Sequence, residues 1–140
     1  MEQLKNSAIK GPESHEERLR YCYFDPDTLR AQSAGSVEIE QSVVVSFVSW
    51  FLGLLMNLQE VLNQPDRGRI KPVLHQVKGT IGIVCTVAFF EQVTLLYEEL
   101  DAVNERAVWL NSQLILVKCQ VLLDEVRRFQ NENGYSQNEK

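Results

Sequence analysis

Apolar residues recur at spacings of three and four along most of this 140-residue chain, the rhythm of helix faces turned towards a core. The longest run is "VEIEQSVVVSFVSWFLGLLMNLQEVLN", which ends at the turn "NQPDRG". Ser36 starts it, and Glu38 and Glu40 sit at the positive N-terminal end of a helix dipole. Between residues 43 and 58 most side chains are large and apolar. The exceptions Ser46, Ser49, Gly53 and Asn57, extended by Ser42, form one narrow small or polar stripe, and the rest is apolar over a wide arc. The length and the spacing of the serines argue for a helix over a valine-rich strand. The uninterrupted apolar span is shorter than the about 20 residues that cross a bilayer, and acidic residues flank it. A buried helix is expected, with part of its wide arc left exposed for a partner.

Shorter patterns surround it. "YFDPDTLRAQSAGS" predicts a brief helix capped by Asp25, with Pro26 in its first position and Gly35 at its end. Over residues 70–84, Ile70, Val73, Leu74, Val77, Ile81 and Val84 make one buried stripe, and Pro72 is tolerable there if it falls in the first turn. A break near Cys85 and Thr86 follows, since Thr86 can cap a further helix carrying Val93, Leu96 and Leu100 inward. "LDAVN" turns the chain. The last helix, about residues 105–130, repeats apolar residues at Leu110, Leu114, Val117, Val121 and Leu122. Four amphipathic helices with short connections, preceded by one short extra N-terminal helix, predict an all-α antiparallel four-helix bundle. The bundle is expected over residues 23–131, between a polar N-terminal extension (1–22, with a short helix near "ESHEERLR") and a polar tail (132–140).

The totals narrow the function. Apolar residues make up 44% and charged residues 24%, a globular mix, and the net charge is −5. No basic run offers a surface to nucleic acid, and acidity does not favour an anionic membrane. The three cysteines, Cys22, Cys85 and Cys119, show neither a CxxC pair nor finger spacing, so reduced thiols in a cytoplasmic protein are expected. The polar N-terminus shows no secretory signal. His15, among glutamates, reads as a solvated surface side chain. His15 and His75 form no i, i+4 ligand pair, and no metal site or hydrolytic triad can be argued from position.

The remaining chemistry gathers in "LHQVKGTIGIV". The buried stripe of that helix centres almost opposite His75, which therefore shares the outward face with Lys71, Lys78, Gly79 and Gly82. Each helical glycine costs about 1 kcal/mol relative to alanine. An imidazole beside an ammonium and above two bare stretches of backbone suits approach by something bulky and anionic. A phosphoryl group fits, since neutral imidazole is a nucleophile near neutral pH. A solvated histidine and a glycine at a helix–helix contact would give the same pattern, and spacing alone leaves both open.

"HQVKGT" at residues 75–80 resembles the HxxKG(S/T) signature of histidine-containing phosphotransfer (HPt) domains, and the resemblance extends over about residues 23–131. It implies a four-helix bundle without an ATP site that carries phosphoryl groups between receiver-domain aspartates in a two-component phosphorelay. His75 matches the phosphoryl acceptor, Lys78 the supporting lysine and Gly79 the glycine that opens space beside the ring, with Gln76 and Gly82 in support. Ile81 is larger than the family's usual residue, and Cys85 and Thr86 stand where Gly-Ala is common. The family often orients its imidazole from the next helix; a residue as far beyond the turn as His75 lies before it would be Tyr97 or Leu96, and Tyr97 could donate a hydrogen bond. Docking of a receiver is expected on Val44, Val48 and Phe51 of the long helix, with Lys71 at the rim. No cofactor of the chain's own is expected, Mg²⁺ belonging to the partner receiver, and neither nucleic acid nor membrane is an expected partner. The chain is expected to act as a monomer. A docking module that accepts no phosphate, and a scaffold that self-associates through residues 43–58, stay open as alternatives.

Overall fold

Four of the helices begin where a side chain accepts from a free backbone N–H. Asp25 accepts from the N–H of Asp27 at 3.0 Å, Ser36 from Ile39 at 3.1 Å, Thr86 from Phe89 at 3.1 Å and Asn104 from Ala107 at 2.8 Å. The computed structural model describes residues 20–64, 67–101 and 104–135. They form α1 (Pro26–Gln32), α2 (Val37–Asn63), α3 (Arg67–Ile81), α4 (Val87–Glu98), a 3₁₀ turn (Glu99–Asp101) and α5 (Glu105–Glu132). Among the described residues there is no strand, only an isolated bridge between Phe24 and Cys85. The protein is all-α.

The long helix α2 packs against α3 on one side and α5 on the other; α4 closes against both α3 and α5, and α1 lies on α2. At 27 residues α2 is long and apolar enough to cross a membrane, but its row Val44, Phe47, Phe51, Leu54, Leu58 and Leu62 faces the shared core. The stripe Ser42, Ser46, Ser49, Gly53 and Asn57 points outward. The expected core stripe of α3 is buried throughout, Val84 included. The helix itself runs earlier than the expected 70–84, starting at Arg67 and stopping at Ile81. Pro72 therefore lies in its second turn, inside the helix.

The last helix is phased differently from expectation. Leu110, Leu114, Val117 and Val121 are 47, 45, 53 and 37% exposed, whereas Val108, Ile115, Cys119, Val126 and Phe129 join Leu122 in the core. Both sets recur at helical spacing; Ser112 is buried with the second, its hydroxyl donating to the Val108 carbonyl at 2.7 Å. The packed body also reaches past 23–131 at both ends. Tyr21 and Tyr135 are buried. Gly134, at φ +70°, ends α5 in the left-handed turn that L-residues avoid. Tyr135 then folds back onto Phe129, and its hydroxyl donates to the buried Glu40 carboxylate at 2.8 Å. The short helix α1 ends with two left-handed residues, Ala34 and Gly35.

A strap from the N-terminal side holds the α3–α4 junction. Glu125, buried on α5, accepts backbone N–H groups from Cys22, Tyr23 and Phe24 at 2.6, 2.9 and 2.9 Å. The strap then pairs with the junction: Asp25 N–H donates to the Val84 carbonyl and Thr86 N–H to the Tyr23 carbonyl, each at 2.8 Å. Tyr23 stacks on Phe89 of α4 with ring centroids 4.2 Å apart, and Arg20 pairs with Glu132.

Replacing Glu125 by alanine leaves three consecutive N–H groups without their acceptor. The expected loss is about 3–5 kcal/mol in urea unfolding; a loss below about 1 kcal/mol would show that the clamp does not hold the strap. Burial pushes the Cys85 and Cys119 thiols from 9.0 to about 12, and burial with the Glu40 contact pushes the Tyr135 hydroxyl from 10.0 to about 12. The folded chain thus keeps protons that the unfolded chain gives up. This contribution is intact below pH about 9 and is lost as pH rises towards about 12. Chemical unfolding at pH 8, 10 and 11 is expected to show falling stability, with a shallower fall in Tyr135→Phe.

Candidate functional site

The single buried stripe of α3 dictates which residues it offers to water. With Ile70, Leu74, Val77 and Ile81 locked in the core, His75, Gln76, Gly79 and Gly82 are exposed and Lys71 and Lys78 are half-buried at the edge of that face. Thr80 is also half-buried, and its hydroxyl donates back to the Gln76 carbonyl at 2.7 Å. The two glycines differ. A Cβ at Gly79 would meet nothing within 4 Å, so helix packing does not explain it. A Cβ at Gly82, just beyond the helix end, would meet the Phe90 ring at 3.6 Å, an ordinary contact. Neither has a positive φ. An exposed helical glycine that neither packing nor backbone requires is a departure from local stability, of the kind found at sites used for something else.

The junction held by the strap brings α4 beside this face. Tyr97 meets His75 ring to ring, with centroids 5.9 Å apart and planes tilted by 44°. The same tyrosine ring lies 5.6 Å from the Lys78 ammonium and 5.7 Å from that of Lys71. Lys78 also stands 5.8 Å from the Phe90 ring. Such contacts stabilise an exposed cation by roughly 0.5–1 kcal/mol and restrict where it swings. Tyr97 and Leu96 both pack against the core, and of the two it is Tyr97 whose ring meets the imidazole. The expected hydrogen bond does not form: among the described residues none joins the Tyr97 hydroxyl to the imidazole, and the contact is between rings. Lys71 additionally pairs with Asp101 of the 3₁₀ turn at 2.6 Å, through side chains 38 and 72% exposed. An ion pair so open to water contributes at most roughly 1 kcal/mol. The Lys71–Asp101 pair had no local signal in the sequence, its partners being thirty positions apart.

No family model, curated protein or solved structure matches this chain. Among the described residues no group of three or more His, Cys, Asp or Glu side chains could hold a metal. This face offers an imidazole open to solvent, two ammonium groups gathered on the tyrosine ring that it meets and an unobstructed stretch of helix, a set suited to a compact anion.

The expected docking residues on α2 need correction. Val44, Val48 and Phe51 are 0, 6 and 0% exposed, because the wide apolar arc of α2 is centred on them and they fill the space between α3 and α5. The apolar side chains that α2 does present to solvent are Val37, Ile39, Trp50, Leu52 and Met56. Lys71 stays at the edge of the imidazole face, as expected.

Gly79→Ala separates stability from use. With open space around the new methyl group, the variant is expected to be more stable by up to about 1 kcal/mol in urea unfolding. A destabilised variant would show that Gly79 is needed by the fold itself.

Proposed function

We propose that this protein is a phosphorelay carrier of the histidine-containing phosphotransfer type, an antiparallel four-helix bundle that accepts a phosphoryl group on His75 from a receiver-domain aspartate and passes it to another response regulator. The observation that carries this reading is the exposed imidazole of His75 beside the half-buried Lys78 and the unobstructed Gly79.

The partner receiver brings the aspartyl phosphate and its own Mg²⁺. A ring nitrogen of neutral His75 attacks phosphorus in line. The N–P bond forms as the P–O bond to the aspartate breaks, and the carboxylate leaves with that electron pair. The proton on the other ring nitrogen exchanges with water. Lys78 offsets charge on the equatorial oxygens, and the bare helix at Gly79 lets the partner's loop approach the ring. Positioning and charge neutralisation supply most of the effect in phosphoryl transfer. The second receiver takes the group by the reverse step, in the cytoplasm.

The rival reading is a docking module that accepts no phosphate. Its support is the departure from the family's pattern at Ile81 and Cys85. Both side chains are buried, 0 and 3% exposed, so neither forms part of the face that carries His75, and label transfer is what separates the two readings.

The test is incubation with receiver domains carrying radiolabelled aspartyl phosphate. Acid-labile, alkali-stable label is expected on the chain and absent from His75→Gln. Label retained by His75→Gln, or receiver binding without any transfer, would contradict the proposal.

A further inference from the structure

The two lysines beside the imidazole are not equivalent. Lys71 lies one turn before His75 and Lys78 one turn after it, so both neighbour it along the helix. Both ammonium groups converge on the Tyr97 ring, at 5.7 and 5.6 Å. Lys78 has no carboxylate partner among the described residues, but Lys71 is held by Asp101 at 2.6 Å. Asp101 belongs to the 3₁₀ turn, whose Leu100 is buried and whose Glu99 accepts from the Asn111 side chain at 3.2 Å.

We propose that Lys71 is a second cation for the phosphoryl group on His75, kept in reserve by Asp101. When the group arrives, Lys71 exchanges the carboxylate for phosphoryl oxygens, and the 3₁₀ turn loses its ion-pair tether to α3. The inference rests on the carrier reading of His75 and adds its regulation.

The exchange follows from charge and exposure. A phosphoryl group carries about −1.5 to −2 charges with three acceptor oxygens, against the single charge of Asp101. The carboxylate that it displaces is 72% exposed and is readily taken up by water. Lys71 needs only to swing across the Tyr97 ring that it already touches. Phosphorylation thereby frees an acidic side chain on a surface turn one helix away from the imidazole, and the two forms of the protein present different charge patterns there. The groups around the imidazole are Lys71 and Lys78 from α3 and Tyr97 from α4, with Asp101 acting through Lys71.

A small donor tests this without a partner. Phosphoramidate transfers its phosphoryl group to a ring nitrogen: the N–P bond to His75 forms, the donor's own P–N bond breaks and ammonia leaves. The yield and half-life of phosphohistidine would be compared in the native chain, Lys71→Gln, Asp101→Asn and the double variant, each first checked to be fully folded at the assay temperature. Lys71→Gln is expected to lower the labelled fraction at limiting donor, or its half-life, by about fivefold. Asp101→Asn is expected to raise it by about two- to threefold, and to have no effect once Lys71 is replaced. Backbone amide resonances of residues 99–101 are expected to shift on labelling in the native chain and not in Lys71→Gln. Normal labelling of His75 in Lys71→Gln, or an Asp101→Asn effect that persists without Lys71, overturns the inference and leaves the carrier reading standing. Absence of label at His75 in the folded native chain overturns both.

Discussion

One carboxylate organises the end of this protein that carries His75. Glu125 reaches from α5 to three consecutive backbone N–H groups at residues 22–24, a segment that otherwise would have no partner for them. The strap so fixed gives its next two polar groups to the α3–α4 junction, accepting from Thr86 and donating to Val84. The junction in turn decides how α4 lies along α3. Without that angle, Tyr97 would not meet His75, and the two ammonium groups would not share a ring. A site of surface side chains thus depends on a buried hydrogen-bond clamp formed by residues about a hundred positions apart.

The face that results combines rigidity below with openness above. α3 is anchored by an unbroken apolar stripe, so its outward residues are held on a stiff support. Above it Gly79 leaves the helix bare, and Lys71 and Lys78 are restrained by aromatic rings instead of being fixed by strong bonds. Under the proposed carrier role, preorganised but weakly committed cations would suit a group that is received and then released, since tight capture would slow its release.

Much of this was legible in the residues, and unevenly. α3 carries apolar side chains on one face only, so its phase, and the outward position of His75, followed from spacing. The caps at Asp25, Ser36 and Thr86 were readable for a similar reason: each lies immediately before an apolar-periodic run. α2 and α5 are apolar on more than one face. There periodicity marks a helix but not which stripe faces inward, so Val44, Val48 and Phe51 were expected outside and Leu110, Leu114, Val117 and Val121 inside, the reverse of what is found. The buried carboxylates of Glu40 and Glu125 are satisfied by Tyr135 and by the strap, contacts so distant in sequence that no local pattern announces them. Tyr97 was placed by counting from the turn, which fixes distance along a helix but not the direction of a hydroxyl.

In the proposed role, a phosphoryl group is received by the imidazole on α3 because of what surrounds it. The chain has two histidines, His15 and His75, which provides an internal control. Nitrogen-15-labelled histidine spectra recorded before and after exposure to a phosphoryl donor report each ring separately. Coupling to phosphorus is expected at one ring nitrogen of His75 alone, with a simultaneous shift of the Tyr97 ring resonances. Equal labelling of His15, or a phosphorylated His75 that leaves Tyr97 unmoved, would contradict it.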